Sequence, residues 1–596
     1  MAKKKRYSVK RSENRYVYTI PAAVAVGIIP LITKVFVYSN KVLAGFPWFM
    51  QGGIEAADVA LAYKSFFLQI LMFIMIIMLA LHHFTGDSKL TVKRRFIFPA
   101  LYVVLVLLSG VLSAYPSLAF GGSYERFEPV GAVISYIVIF YYSYTFVNDD
   151  KKLGFIIKAL AVPVFLMVFI GVLQGIGSDP FSYDFFKRLI VPAAWRNDLE
   201  HISIRRQKGI AYLTLYNENY VGMYMALIIP ALTALAIAAE NIAARIASVI
   251  LCCASVYVLI CSGSQSGMIA IAAVTLIMAL IRFWGVSDKR IRMAGIAGAA
   301  ALTVVCTFLL RQPLGRIFEK DEINPWSVAG VRTEDDEVVF DLECGNELHS
   351  SFDIDENGNM DISFRDKDGR DLIFEDRGGQ YVLEERFEYS GAMAAAVRVD
   401  AIDRYAAVFV IDDYKWPIIK ADDGTYYYLN TALNPVKFPQ VKRVSIFPER
   451  FLSGRGKIWN RSLPLLKEHI FLGSGANTFI TQYPQDDYVD RTYTYGWGSF
   501  EYDVKAHCFY LNDAIENGVA ADACLAVLFI VYIIMGIRKY GKKYPKGKAP
   551  VTEMGLFAGC TAYMITALAN DSNVCVAPVF WAVFGISNVL MDNTEL

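Results

Sequence analysis

The chain has 596 residues, of which 55% are hydrophobic and 19% are charged, and its formal net charge is +1. A soluble protein of this length has fewer apolar and more charged residues, so this composition excludes an ordinary soluble enzyme. Nine cysteines are present without a Cys-x-x-Cys pair, which argues against a zinc site or a disulfide framework.

Apolar runs of the length that crosses a bilayer recur along the chain. They predict a polytopic α-helical membrane protein with about 12 transmembrane helices. The basic N-terminus precedes an apolar run without a convincing cleavage site, so we interpret that run as a retained first helix. The predicted spans are 17–37, 62–82, 96–114, 130–147, 154–175, 218–238, 246–262, 266–283, 292–310, 510–537, 553–570 and 575–591.

Lysine and arginine mark the cytoplasmic side of a membrane protein. The N-terminus is basic, and alternation of the spans then gives four further cytoplasmic loops that are also basic: 89–95, 151–152, 289–292 and 538–548. This distribution predicts a multi-pass protein of the cell (cytoplasmic) membrane with both termini in the cytoplasm. The long segments 38–61, 176–217 and 311–505 then lie outside.

The longest of these outer segments divides into two parts. Residues 331–430 hold 25 Asp and Glu against 10 Lys and Arg, a balance of −15, which leaves +16 for the rest of the chain. Short alternating runs such as Glu337–Leu342, separated by turn signals such as Asp368-Gly369, predict an all-β sandwich or small barrel. Its negative charge opposes binding to nucleic acid or anionic lipid.

Four domains follow from this reading. They are an N-terminal membrane domain of about nine spans (1–316), an inserted acidic extracytoplasmic β domain (317–445), an extracytoplasmic catalytic loop segment (446–509) and a C-terminal membrane domain of about three spans (510–596).

Conspicuous motifs follow the β domain. SGRGKIW places Arg455 four residues before Trp459, IFLGSGANTF forms a glycine-rich turn, and HCFYL begins at His507 just before a span. Glu516 and Gly518 follow in AIENGV. In order and spacing these motifs resemble the O-antigen ligase and polymerase family of membrane glycosyltransferases. That resemblance implies a helical membrane fold, an undecaprenyl-diphosphate-linked glycan donor, inversion at the transferred sugar, no metal and no cofactor.

Weaker similarities to the family lie upstream. SYERF contains Arg126, and the YNENY segment contains Asn219 at the entry to a span. Two positions depart from the family's pattern: Gln265 stands where the family usually has arginine, and Cys508 replaces the asparagine beside the histidine. These departures bear on the substrate more than on the reaction class.

Transfer of a sugar from a diphosphate needs cations for the leaving group and a base for the acceptor hydroxyl. Guanidinium groups bind phosphate oxygens in pairs, so we assign Arg455 to this task. Further diphosphate contacts are expected from four residues: Arg126, Arg205, Arg206 and Asn219. His507 is the expected base, and Glu516 is expected to orient a neighbour.

Each of these residues also has a structural interpretation. His507 can be an interfacial histidine bonded to backbone, Arg205 and Arg206 can be surface charge, and Asn219 can cap a helix. Tyr488, Tyr495 and Trp497 are candidates for stacking on sugar rings, with an interfacial aromatic belt as the alternative.

The expected partners are the lipid-linked glycan, the bilayer and an acceptor that the sequence does not identify. A polysaccharide polymerase is favoured slightly over a ligase. A transporter or flippase of lipid-linked sugars is the alternative function, although no internal repeat of the kind that transporters often show is found. A third hypothesis makes the β domain a sensory or adhesive module on an inert anchor, for which twelve spans are more than an anchor needs.

Overall fold

The computed structural model describes residues 16–50, 55–85, 92–202, 207–284, 288–290, 292–298, 301, 324–334, 336–384, 392–542 and 550–592. The principal helices are α1 Ile20–Gly27, α2 Ala62–Phe84, α3 Ile97–Val111, α4 Pro116–Gly121, α5 Val130–Phe146, α6 Asp150–Gly175, α7 Asp184–Ile190, α8 Glu218–Ala238, α9 Ile242–Ser262, α10 Gln265–Trp284, α11 Phe451–Ser462, α12 Phe479–Gln482, α13 Tyr488–Tyr495, α14 Phe509–Asn517, α15 Val519–Tyr540, α16 Val551–Thr566 and α17 Ala577–Asp592.

Within the described residues, seven helices are long and apolar enough to cross a membrane: Ala62–Phe84, Arg94–Val111, Asp150–Gly175, Glu218–Ala238, Ile242–Ser262, Gln265–Phe283 and Val519–Tyr540. Shorter apolar helices cover Val17–Leu31, Val130–Phe146 and Ala577–Asp592. The chain is therefore a multi-pass membrane protein, as predicted. Most of the predicted span 292–310 lies outside the described residues.

The short helix α17 lies inside the helical bundle. Phe580, Trp581 and Phe584 are all buried, and the ring of Phe584 lies 5.2 Å from that of Phe140 on α5. A helix covered on every side by other helices meets no lipid, and its apolar sequence is required by its protein neighbours.

The predicted span 510–537 is two helices. Gly518 separates α14 from α15 with φ of +102°, and the segment that contains the glycine-rich turn packs directly against the break. A Cβ at Gly518 would lie 2.6 Å from the carbonyl oxygen of Phe471. Glycine is thus required here for both its backbone conformation and its size.

The strands are β1 Phe36–Tyr38, β2 Ala56–Asp58, β3 Val328–Glu334, β4 Glu337–Leu342, β5 Glu347–Ile354, β6 Met360–Asp366, β7 Phe374–Asp376, β8 Gln380–Leu383, β9 Met393–Val399, β10 Arg404–Ile411, β11 Tyr414–Lys420, β12 Tyr426–Leu429 and β13 Pro435–Val436. Strands β3 to β6 form a four-stranded sheet, and β7 to β13 form a seven-stranded sheet in sequential order. Neighbouring strands in both sheets are antiparallel.

The two sheets share one core. The ring of Phe340 on β4 lies 5.1 Å from that of Phe409 on β10, and Trp416 is fully buried between them. The predicted β insertion is confirmed, and its architecture is a sandwich because two amphipathic sheets bury their apolar faces against each other.

Candidate active site

His507 lies in the turn that precedes α14, beside the loop that joins α16 to α17. Its Nδ1 is 3.3 Å from Oδ2 of Asp571 in that loop, and the two side chains are 36% and 2% exposed. A buried carboxylate next to an imidazole fixes the ring's orientation and stabilises the ring when it gains a proton. Asp571 is a residue that the sequence analysis did not select.

Asp571 is held in its ionised form by the cations around it. Burial alone would raise the pKa of Asp571, but its interaction with the neighbouring His507 side chain lowers the pKa below its ordinary value. The charges of Lys505 and Arg126 lower the pKa of this carboxyl further. The loop therefore brings a fixed negative charge to a group of positive side chains.

Arg126 lies in the loop between α4 and α5 and is buried. Its Nη1 donates to Oε1 of Glu516 at 2.7 Å, and its Nη2 donates to Oε2 of Glu128 at 3.2 Å. Burial lowers the pKa of this guanidinium, yet the charges of Glu516 and Glu128 raise it overall. Glu516 thus holds a neighbouring cation, and its predicted role in orienting that neighbour for a reaction stays a prediction.

Glu516 is in turn held by the glycine-rich turn. The backbone N–H of Gly475 donates to the carbonyl of Glu516 at 2.7 Å, and the backbone N–H of Phe479 donates to its carboxylate at 3.1 Å. A Cβ at Gly473 would lie 2.2 Å from the backbone of Glu516, so only glycine allows this approach. The glycine-rich turn thus fixes Glu516, and Glu516 in turn fixes the position of Arg126.

Arg455 begins the regular part of α11, after three residues with positive φ, Leu452, Ser453 and Gly454. Its Nη1 donates to the carbonyl of Leu452 at 2.7 Å. Its buried Nε has no hydrogen-bond partner, and no carboxylate forms an ion pair with it, in the part of the chain that the structure describes. Burial lowers the pKa of this guanidinium, while the charge of Asp571 raises it.

Lys505 is a further cation that the sequence analysis did not select. Its Nζ donates to the hydroxyl of Tyr220 at 2.9 Å. Burial lowers the pKa of Lys505, but its interaction with the Tyr220 hydroxyl and the charge of Asp571 raise the pKa overall, so the ammonium is retained. Two signals were available: Lys505 stands two residues before His507, and Tyr220 directly follows Asn219.

The signal for Asp571 was its position. It is an acid in a short loop between two apolar runs, where an unpaired charge is costly and a paired one commonly serves function.

The remaining predicted residues are distributed differently. Asn219 lies in the first turn of α8, where its N–H donates to Oδ1 of Asn217 at 2.7 Å, so the helix cap at this point is Asn217. Arg205 and Arg206 lie outside the described residues. Cys508 is no candidate nucleophile, because burial raises its pKa to about 11.

The three aromatic candidates lie along α13 and the loop after it, and each has its own contacts there. Tyr488 is buried against Tyr428 of the β sandwich, with ring centroids 5.2 Å apart. Trp497 donates its indole N–H to the carbonyl of Leu429 at 2.9 Å, and Tyr495 donates to Oδ1 of Asp503 at 2.9 Å.

Comparisons with protein-family models, curated proteins and solved structures find no match to this chain. The fold and the site define a multi-pass membrane protein with an inserted β sandwich. Contacts place three cations around the pair of His507 and Asp571. Lys505 stands two residues before His507, Trp459 one turn after Arg455 donates to the carbonyl of Ala506, and Ser572 beside Asp571 donates to Glu128, the partner of Arg126.

Proposed function

We propose that this chain is a membrane glycosyltransferase that moves a glycan from an undecaprenyl-diphosphate-linked donor to an acceptor hydroxyl. The observation that carries the proposal is the grouping of Arg126, Arg455 and Lys505 around the paired side chains of His507 and Asp571. The three cations suit a phosphate leaving group, and the histidine–aspartate pair suits proton removal from a hydroxyl.

The leaving diphosphate gains negative charge as its bond to the sugar breaks. Arg455 has a buried Nε without a partner, so it has N–H capacity for phosphate oxygens. Arg126 is fixed by Glu516 and also has a free Nε among the described residues. Guanidinium groups that are already in place stabilise such charge without reorganising during the reaction.

The acceptor hydroxyl must lose its proton as it attacks. With Nδ1–H of His507 donating to Asp571, the lone pair lies on Nε2, and the hydroxyl proton passes to that atom. The hydroxyl oxygen bonds to the anomeric carbon while the carbon–oxygen bond to the diphosphate breaks, and the electron pair leaves with the diphosphate. Attack opposite the leaving group inverts the anomeric centre, and the reaction as proposed uses no metal.

The proposed enzyme lies in the cell (cytoplasmic) membrane and crosses it twelve times, with both termini in the cytoplasm. The β sandwich and the site then lie on the outer face. The basic residues of the loops in 89–95, 151–152, 289–292 and 538–548 support this arrangement.

A polymerase is preferred over a ligase as the form of the enzyme, and the size distribution of the product decides between the two.

Glycan transfer in nanodiscs tests the proposal. Purified protein receives polyprenyl-diphosphate glycans extracted from its host, with EDTA present. Wild type is compared with His507→Ala, Arg455→Ala and Arg443→Ala, the last being an exposed arginine whose side chain is 52% accessible. Wild type and Arg443→Ala are expected to lengthen the glycan, and His507→Ala and Arg455→Ala are expected to leave it unchanged.

The products separate the competing readings. A ladder of increasing size identifies a polymerase, and a single shift onto another acceptor identifies a ligase. Unchanged glycan in the wild-type sample overturns the glycosyltransferase proposal, and crossing of the lipid between vesicle leaflets in that sample would instead favour a flippase. Full activity of His507→Ala would refute the base assignment.

A further inference from the structure

The backbone of Ala506, the residue that precedes His507, is held by two side chains. The carbonyl of Ala506 accepts from the indole N–H of Trp459 at 2.9 Å, and its N–H donates to Oδ1 of Asn512 at 3.1 Å. Ala506 is fully buried. Most buried backbone groups pair with other backbone groups. At Ala506, by contrast, both the N–H and the carbonyl are bonded by side chains, one from α14 and one from α11.

His507 itself has a backbone conformation that needs support. Its φ is +53°, a left-handed value that is unfavourable for a residue with a Cβ. Such conformations persist where surrounding contacts enforce them, and they concentrate at functional sites. Beyond Cys508, the N–H of Phe509 is shared by the carbonyls of Ala567 and Asn570, each at 2.9 Å. The chain is thus fixed on both sides of His507.

Trp459 links this backbone to the cation of the site. It lies four residues after Arg455 on α11, one helical turn away and on the same face. Its ring packs edge-on against Phe447 at 5.2 Å and against Phe451 at 5.8 Å, so its N–H direction is set by packing. One turn of helix therefore places Arg455 and also fixes the peptide next to His507.

We propose that Trp459 and Asn512 are positioning residues that hold His507 in the orientation in which its Nδ1 meets Asp571. This inference rests on the proposed glycosyl transfer. Neither side chain has to touch a reacting atom, because each acts through the backbone of Ala506. Displacement of a reacting group by about 1 Å can cost roughly a hundredfold in rate, so loss of either bond is expected to lower turnover.

The main variant is Trp459→Phe, which keeps an aromatic ring between Phe447 and Phe451 and removes only the N–H donor and the second ring. The expected result is a fall in kcat of about ten- to a hundredfold, with KM for the donor changed less than twofold. The control is Tyr381→Phe, which removes an aromatic donor 2.6 Å from the carbonyl of Met360 in the β sandwich and is expected to leave kcat unchanged. Asn512→Leu is the second variant and is expected to act in the same direction.

A second readout does not depend on activity. The rate at which diethyl pyrocarbonate labels His507 is followed by mass spectrometry, with His201, whose side chain is 79% exposed, as the internal reference. Release of the Ala506 carbonyl is expected to change the rate at His507 more than threefold in Trp459→Phe and to leave the rate at His201 unchanged.

The outcomes are separable. If wild type transfers glycan while Trp459→Phe keeps its full kcat and its labelling rate, the positioning inference is overturned. A parallel loss of melting temperature in both Trp459→Phe and Asn512→Leu also overturns it, since that result assigns the bonds to stability. If wild type transfers nothing, the proposed function fails, and the labelling rates alone then decide whether the two side chains orient His507.

Discussion

The two ends of helix α11 carry arginines with opposite surroundings. Arg461, at the C-terminal end, is 2% exposed and bonds three carboxylates, those of Asp487 at 2.8 Å, Glu449 at 3.2 Å and Asp490 at 3.3 Å. Arg455, at the other end, has one hydrogen bond to a backbone carbonyl and no ion pair within the described residues. The arginine at the C-terminal end of the helix therefore pairs with three carboxylates, whereas the arginine at the N-terminal end pairs with none of the described carboxylates.

The difference separates an arginine that holds the structure together from one that can bind a ligand. A guanidinium whose N–H groups all meet carboxylates has nothing left for a phosphate. Arg126 is intermediate, because two carboxylates fix it while its Nε has no partner in the part of the chain described. Substitution at Arg461 should therefore affect stability, and substitution at Arg455 should affect turnover.

The largest effect is expected from Arg461→Leu. This change removes the cation that pairs with Asp487 and leaves the buried Asp490 with Lys457 alone, at 3.2 Å. Breaking a buried pair costs about 3–5 kcal/mol. Chemical unfolding in detergent, followed by tryptophan fluorescence, measures the loss. Arg377→Leu, which breaks a surface pair with Glu375 at 2.9 Å, is the control, and an equal loss in both variants would contradict the assignment.

The next effect is on turnover. Arg455→Lys keeps the positive charge but removes the planar fork that binds two phosphate oxygens, so kcat is expected to fall about a hundredfold. The unfolding midpoint should not move, since no ion pair is lost. Arg443→Lys serves as the matched exposed control. Normal turnover in Arg455→Lys would show that charge alone suffices at this position.

A smaller effect is expected from Glu516→Gln. The amide still accepts from Arg126, but the bond loses its charge assistance, and the guanidinium remains paired with Glu128. About a tenfold fall in kcat corresponds to this loss of roughly 1.4 kcal/mol. Glu553→Gln, which weakens a pair with Lys539 at 2.6 Å near the other end of α15, is expected to keep full turnover. Equal falls in the two variants would remove Glu516 from the site.

The smallest effect appears only in acid. The pKa of Asp571 is lowered from its ordinary 3.8 in the folded protein, so its contribution to stability is fully present above that pH. It is lost as pH falls through the lower folded value. Asp571→Asn should show a weaker fall in unfolding midpoint below pH 3.8 than wild type. If the unfolding midpoints of wild type and Asp571→Asn fall equally with pH, ionisation of Asp571 does not contribute to stability.

The local features of the fold could be predicted from the sequence. The alternating run Glu337–Leu342 is strand β4 with the same bounds, because its pattern and its flanking turn depend on neighbouring residues alone. The run at 510–537 is apolar over most of its length and predicts one helix. The break at Gly518 is imposed by the backbone of Phe471, which no local pattern encodes.

The same limit applies to the site. Motif spacing selected His507, Arg455 and Glu516, which lie in one stretch of chain. It did not select Asp571 or Lys505, because each becomes part of the site only through a partner that folding brings near: His507 for Asp571 and Tyr220 for Lys505. It also treated Arg126 and Glu516 separately, although they form a salt bridge of 2.7 Å across distant segments.

The order of these segments along the chain has a consequence for biosynthesis. Arg126 is made well before Asp571, which lies in the loop between α16 and α17. A nascent chain that has inserted every helix up to α15 still lacks the carboxylate beside His507. Activity on the proposed lipid carrier would therefore begin only when α16 and α17 have been inserted, so that shorter nascent chains do not use the donor.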